Sequence, residues 1–272
     1  MLSKKTNATL PQVMGILNVT PDSFSDGGQF IHLDKALYHA EQLYQQGADI
    51  IDIGGESTRP NAAIVSVEEE LERVIPLLER IKAELPVEIS VDTYKPKVMA
   101  AAIEAGANLI NDVRALQEVG GAELLALHPH VSVCLMHMQG TPQTMQDQPF
   151  YENIVEEIKL FLKNRVQHCD NAGILPENIM LDVGFGFGKT LAHNLLLMRE
   201  LHQFVALGYP VLVGVSRKSM IGNVLNKTTD QRLYGGLALA TLAVQQGAAL
   251  IRTHDVTETV DCIKIVQAVM QS

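Results

Sequence analysis

The chain has 272 residues, near the roughly 250 of one α/β barrel and enough for a sizeable core. Its 47% hydrophobic content, with 20 glycines and only 5% aromatics, suits packing by Val, Ile, Leu and Ala and excludes a disordered chain. A net charge of −10 argues against a nucleic-acid or anionic-membrane surface, so an anionic ligand needs a local cluster of cations.

Met1 to Pro11 are polar, without the apolar run of a signal sequence, and nowhere do about 18 apolar residues run uninterrupted. Cys134, Cys169 and Cys262 form no Cys-x-x-Cys pair and read as thiols of a reducing compartment. A soluble, cytoplasmic protein is expected.

From there, eight apolar, β-branched segments recur between amphipathic stretches. They are Val13 to Leu17, Ile50 to Ile53, Ile89 to Val91, Leu109 to Ile110, Val131 to Met136, Ile179 to Leu181, Val211 to Val215 and Leu250 to Arg252. This alternation predicts parallel strands joined by crossover helices. Without a linker, low-complexity tract or charge run to divide the chain, the expectation is a single (β/α)8 TIM barrel over residues 1–272, with 1–11 a short tail.

Between the second and third segments, Val67 to Ile81 puts Leu71, Val74, Ile75, Leu78 and Ile81 on one stripe. Ser66 stands as its cap, with Glu69 three residues on. The phrases Gln46-Gly-Ala-Asp-Ile50, Ala105-Gly-Ala-Asn-Leu109 and Gln246-Gly-Ala-Ala-Leu250 repeat a Gly-Ala turn before a strand, where glycine's access to positive φ ends a helix.

Polar residues follow almost every strand: Asn18; Glu56 to Arg59; Asp92; Asn111 and Asp112; His137; Asp182; Ser216 to Lys218; and Thr253 to Asp255. In a barrel these positions converge on the face that carries active sites. Two long polar loops, Asn18 to Gln29 and Gly54 to Ser66, follow the first two strands and have the length of lids or binding loops. His128 and His130 lack further ligands and read as surface or packing. Gly184-Phe-Gly-Phe-Gly-Lys-Thr190 ends like a Walker A loop, but Val183 stands where the first glycine is needed. It reads instead as a loop that lets backbone approach a flat ligand.

Gly15-Ile-Leu-Asn-Val-Thr-Pro-Asp-Ser-Phe-Ser-Asp-Gly-Gly28 and Asp52-Ile-Gly-Gly-Glu-Ser-Thr-Arg-Pro60 resemble the two signature segments of the dihydropteroate synthases. The likeness continues through Ser90-Val-Asp-Thr93, Asn111-Asp-Val113, Leu135-Met-His-Met138, Gly184 to Lys189, Gly214-Val-Ser-Arg-Lys-Ser219 and Arg252-Thr-His-Asp255. Asn61 and Val183 depart from the family's usual glycine and proline, which touches loop stiffness and not a ligand-contacting group.

The resemblance implies a transferase of folate biosynthesis, a target of sulfonamides, that joins a dihydropterin pyrophosphate to para-aminobenzoate. It implies that Asp92, Asn111, Asp182 and Lys218 read the pterin edge, with Met136 and Phe187 lining the pocket; of the neighbours Asn111 and Asp112, the pattern favours Asn111. Pyrophosphate and its Mg2+ fall to Asn18, Arg252 and His254, with Ser216 and Arg59 as further candidates. Para-aminobenzoate falls among Phe24, Thr58, Pro60, Phe187, Lys218 and Ser219, with Asp26 and Arg59 ordering the loops. Asn18, Asp26, Arg59 and Lys218 are the expected catalytic set, Asn18 the only protein ligand of the metal, and a homodimer the expected assembly.

Plainer readings remain for two residues, Asp182 as a helix cap and His254 as an ordinary strand-end histidine. Two rival functions remain as well. Another barrel enzyme acting on a phosphorylated small molecule would explain Arg252 and His254 but not both loops, and a non-catalytic pterin-binding barrel would not require the whole polar set.

Overall fold

The computed structural model describes residues 11–19, 29–57, 62, 64–141, 144, 145 and 148–272. The eight apolar segments become β1 (Gln12–Asn18), β2 (Ile50–Gly54), β3 (Glu88–Asp92), β4 (Leu109–Asp112), β5 (Ser132–Met136), β6 (Ile179–Asp182), β7 (Val211–Val213) and β8 (Leu250–Thr253). They pair in chain order, all parallel, and β8 returns to β1 to close the barrel. The expected (β/α)8 architecture is present. Six strands run one or two residues beyond the expected limits and two fall short: Val131 precedes β5, and β7 stops at Val213. There the chain enters a turn in which the Lys218 N–H donates to the Val215 carbonyl at 3.2 Å.

The helices are α1 (Gln29–Gln45), α2 (Val67–Glu84), α3 (Pro96–Glu104), α4 (Gly121–Ala126), α5 (Ile154–Ala172), α6 (Leu191–Arg199), α7 (Leu201–Val205), α8 (Ser219–Leu225), α9 (Leu233–Gln245) and α10 (Val256–Met270). They wrap the barrel because every strand carries apolar residues on its outer face. Leu17, Ile51, Ile53, Val91, Ile110, Leu135, Leu181 and Val213 pack outward with helix residues such as Leu43, Leu77, Ile158 and Phe204. Burying side chains of this size contributes about 1.5–3 kcal/mol each. The departure Val183 is buried in the same layer.

Strand residues of the opposite phase face the interior. Met14, Ile50, Leu109, Cys134, Met180, Leu212 and Leu250 fill one apolar layer, separate from the outer core. Two residues further along β2, β4, β6 and β8, towards the C-terminal mouth, the interior turns polar.

The three Gly-Ala phrases form one cap used three times. Gly47, Gly106 and Gly247 have φ of +98°, +102° and +95°. In each case the alanine N–H reaches back to a helix carbonyl, as from Ala48 to Leu43 at 3.0 Å. Ser66 caps α2 by accepting the Glu69 N–H at 3.1 Å, but the Glu69 carboxylate turns to Arg73 instead of returning to the cap. The buried stripe of α2 also lies differently from the expected one: Glu70, Val74, Leu77, Leu78 and Ile81 are buried, whereas Leu71 and Ile75 are half-buried. Glu70 is held inward by an ion pair with Lys95, which rotates the buried face towards it.

Candidate active site

Just above the apolar layer, Asp52, Asn111, Asp182 and Arg252 occupy the interior phase of β2, β4, β6 and β8, and Asp92 ends β3 one step higher. Arg252 organises them. Its Nε donates to Asp52 Oδ2 at 2.6 Å and its Nη2 to Asp92 Oδ2 at 3.1 Å. Asn111 Nδ2 approaches the same Asp52 oxygen at 3.4 Å. Asp52 is completely buried, and its Oδ1 has no hydrogen-bond partner among the described residues.

The charges perturb one another strongly. Burial first, and then the Asp52 carboxylate, push the Asp92 pKa up to about 7 against the pull of Arg252. Burial raises Asp182 as well, opposed chiefly by Lys218. Burial alone would lower Arg252, but the Asp52 and Asp92 carboxylates more than reverse it, so the guanidinium keeps its charge. Titratable groups displaced in opposite directions inside one recess mark a place built for a polar ligand.

Asp182 Oδ1 accepts the Gly184 N–H at 2.7 Å. It does not cap the following helix: α6 begins nine residues later, and Thr190 caps it by accepting the His193 N–H. Adjacent Asn111 and Asp112 separate cleanly, since Asn111 faces the interior while Asp112 closes a turn by accepting the Arg114 and Leu116 N–H groups at 2.7 and 2.8 Å.

Lys218 follows β7 and reaches across the mouth. Its Nζ donates to the Phe185 carbonyl at 2.5 Å and lies 4.8 Å from the centre of the Phe187 ring. Burial pushes its pKa down to about 8, with Asp182 pulling it back up. Met136 is buried at the end of β5, and Asn18, half-buried at the end of β1, lies over Gly54, where a Cβ would meet its Oδ1 at 3.5 Å.

The phosphate candidates divide in two. Arg252 turns down to the two carboxylates. His254, just beyond β8, donates its N–H to Ser216 Oγ at 3.1 Å and sets Nδ1 at the same distance from that oxygen. Ser219 opens α8 and is exposed. The expected Phe24, Asp26, Thr58, Arg59 and Pro60, and the departure Asn61, lie outside the described residues.

In the Gly184 to Gly188 run, the close approach is to the protein's own chain. A Cβ at Gly184 would stand 1.9 Å from the His137 carbonyl oxygen, and one at Gly188 would stand 2.6 Å from that of Gln139; both residues have positive φ. The run thereby locks against the chain after β5, buries Phe185 and presents Phe187 to Lys218. Lys189, the residue that suggests a Walker loop, is buried with its Nζ donating to the Phe187 carbonyl at 2.8 Å and 3.1 Å from His137 Nδ1.

His128 and His130 form an edge-on ring pair with centroids 5.8 Å apart. Among the described residues, no three His, Cys, Asp or Glu side chains gather to hold a metal, the three cysteines are free, and no helix is long and apolar enough to cross a membrane.

Asp52 was missed by sequence reasoning as a site residue. Its signal was a carboxylate in the middle of the apolar run Ile50-Ile-Asp-Ile53, which only a buried partner can accommodate.

Residues 14–254 match the family described as pterin binding enzyme. The dihydropteroate synthase of Haemophilus influenzae is 53% identical over 266 residues, covering 98% of this chain and 96% of that protein. The Yersinia pestis dihydropteroate synthase in a sulfonamide drug complex superposes with a TM-score of 0.91 at 50% identity, covering 97% and 95% of the two chains. The Xanthomonas albilineans dihydropteroate synthase in complex with 7,8-dihydropteroate does so with a TM-score of 0.88 at 45% identity, again covering 97% and 95%. With a polar recess at the mouth of a closed eightfold barrel and likeness over nearly its whole length, the chain belongs to the dihydropteroate synthases among the pterin-binding enzymes.

Proposed function

We propose that this chain condenses 6-hydroxymethyl-7,8-dihydropterin pyrophosphate with para-aminobenzoate, giving 7,8-dihydropteroate and pyrophosphate, on the side chains gathered at the barrel mouth. The observation that carries the assignment of roles is the grouping of Asp92, Asn111, Asp182 and Lys218 beside an Arg252 whose charge is fixed by two carboxylates.

A pterin edge alternates donors and acceptors in one plane. Asp182, with one oxygen committed to Gly184, and Asp92 supply in-plane acceptors for its amidine-like N–H groups. Asn111 supplies both a donor and an acceptor, Lys218 supplies a donor, and Phe187 and Met136 bound the recess. Ser216 and His254 at the rim face the pyrophosphate, and Arg252, turned to its two carboxylates, adds its fixed positive charge from below. As the bond from the pterin methylene to the pyrophosphate oxygen breaks, its electrons leave with the phosphate, where these donors stabilise the growing charge. The aniline nitrogen of para-aminobenzoate bonds the methylene and then sheds a proton to water.

Magnesium fits this arrangement, because the amide oxygen of Asn18 suits a cation that keeps most of its waters and takes phosphate oxygens. Held by Asn18, it would neutralise charge on the leaving group.

Phe24, Asp26, Thr58, Arg59, Pro60 and Ser219 serve para-aminobenzoate and loop closure in this reading, which places the amine last. A cytoplasmic homodimer belongs to the same reading, and the exposed Val224, Leu225 and Tyr234 of α8 and α9 offer it apolar contacts. The test is calorimetric titration of para-aminobenzoate. Binding is expected only with pterin, pyrophosphate and magnesium present, and equal affinity for the protein alone would contradict this assignment of roles.

A further inference from the structure

Lys189 ends the glycine-rich run that follows β6 and is 4% exposed. Its ammonium has three N–H groups and meets three acceptors: the Phe187 carbonyl at 2.8 Å, the His137 carbonyl at 3.3 Å and His137 Nδ1 at 3.1 Å. An ammonium has no lone pair, so Nδ1 accepts and the imidazole proton sits on Nε2. Burial first, and then Lys189, push the His137 pKa down to about 3, which keeps the ring neutral and able to accept.

All three acceptors are neutral, which sets this lysine apart. Lys95 meets Glu70 and Arg252 meets Asp52, but Lys189 has no carboxylate within ion-pair distance among the described residues. The charges that act on it are those of Asp182 and Lys218, both at the recess. Burial pushes its pKa down to about 7, with Asp182 pulling it back up. A methionine would fill the space without the cost of burying an unpaired charge. What only a donor can do here is join carbonyls from two loops, one after β5 and one after β6.

Those carbonyls belong with the two apolar side chains that bound the recess. Phe187 is one, and Met136, the other, directly precedes His137. Gly184 and Gly188 let the two segments approach, since a Cβ at either would strike the His137 or Gln139 carbonyl oxygen, but room to approach does not hold them together. On either side of Phe187 the run has other anchors: Lys218 Nζ donates to the Phe185 carbonyl at 2.5 Å, and the Tyr151 hydroxyl donates to the Gly188 carbonyl at 2.9 Å. At Phe187 itself the donor is Lys189.

We infer that Lys189 is a positioning residue: by joining the Phe187 carbonyl to His137, it sets the gap between Phe187 and Met136 and so the width of the slot for the flat pterin ring. This rests on the reading that Phe187 and Met136 bound the pterin. With all three donors used inside the protein, Lys189 is not itself a ligand of the ring.

The test is a double-mutant cycle on pterin affinity. Lys189→Met, Phe187→Ala and the double variant are titrated with 6-hydroxymethyl-7,8-dihydropterin pyrophosphate and magnesium by fluorescence, with melting temperature measured on each. Lys189→Met is expected to bind about tenfold more weakly, within the range of coupling between residues of one network. Because Lys189 acts through Phe187, the double variant should bind no more weakly than Phe187→Ala alone. Lys189→Gln, whose amide still donates to a carbonyl, should recover part of the loss, and it replaces Lys189→Met in the cycle if that variant does not fold. Losses that add in the double variant, or unchanged affinity in Lys189→Met beside a weakened Phe187→Ala, would overturn the inference and leave the recess reading standing. Unchanged affinity in Phe187→Ala would remove the wall itself, and the two would fall together. A lowered melting temperature with pterin affinity unchanged, or failure of both Lys189 variants to fold, would make the lysine purely structural and also overturn the inference.

Discussion

Arg252→Met is expected to lower stability by about 3–5 kcal/mol and to remove measurable affinity for pyrophosphate, the larger of the two effects we expect at the barrel floor. The methionine fills similar space, so packing is not what is lost. What remains is Asp52, fully buried, and Asp92, each without the guanidinium it pairs with at 2.6 and 3.1 Å.

The pH dependence separates this from a cavity effect. Burial and the Asp52 carboxylate already raise Asp92 against the pull of Arg252, and removing that pull raises it further. Between the unfolded carboxylate pKa and the raised folded one, the native state holds more protons than the unfolded state, so stability falls as pH rises through that window. The deficit of Arg252→Met should therefore be larger at about pH 8 than at about pH 5, in denaturant titrations at each pH. A deficit independent of pH would mean that the carboxylates are not what Arg252 stabilises. Arg252→Lys, which keeps the charge but cannot fork to two carboxylates, should fall between the two proteins.

Asp182→Asn is expected to weaken pterin binding by about 1.5–3 kcal/mol, the usual worth of a charge-assisted hydrogen bond. It should also move the pH dependence of binding, because Asp182 is the group that most strongly holds the Lys218 pKa up against burial. Protonated Lys218 makes a charge-assisted hydrogen bond to the ligand, which the neutral amine only weakly replaces. In the unaltered protein, affinity should be greatest between about pH 7, below which Asp92 takes up a proton, and about pH 8, above which the Lys218 ammonium loses its own. Without the Asp182 charge, the decline at the upper end begins at lower pH. Fluorescence titration of pterin pyrophosphate across this range measures both effects. Unchanged affinity and an unmoved decline in a folded variant would show that Asp182 serves only the Gly184 turn.

The frame of the barrel was legible because parallel strands buried on both faces are short apolar runs, and the Gly-Ala phrases mark the helix end before three of them. Strand limits slipped where a polar neighbour could not announce a turn, as at Val215, whose carbonyl closes the turn with Lys218. The stripe of α2 holds at Val74, Leu78 and Ile81 but takes Glu70 and Leu77 in place of Leu71 and Ile75, for a related reason. A glutamate counts as outward in any periodicity, yet Glu70 turns inward because Lys95, distant in sequence, meets it there.

The candidate site was legible where polarity follows a strand, which gave Asn18, Asp92, Asn111, Asp182, Ser216, Lys218, Arg252 and His254 their places at the mouth. Roles that depend on tertiary partners were not. Asp52 looked like part of a signature segment and proved to be the buried counter-charge of Arg252. Lys189, whose Walker-like setting Val183 already excluded, lies buried against His137. Glycines read as room for a ligand turned out, at Gly184 and Gly188, to be room for the protein's own backbone.

The central claim is that one recess activates the pterin methylene and delivers it to an amine. Its most direct test incubates the protein with magnesium and 6-hydroxymethyl-7,8-dihydropterin pyrophosphate, with and without para-aminobenzoate, following pyrophosphate and dihydropteroate together. Equal amounts of both products, formed only when the amine is present, are predicted; pyrophosphate release indifferent to the amine, or no turnover by the folded protein, would contradict it.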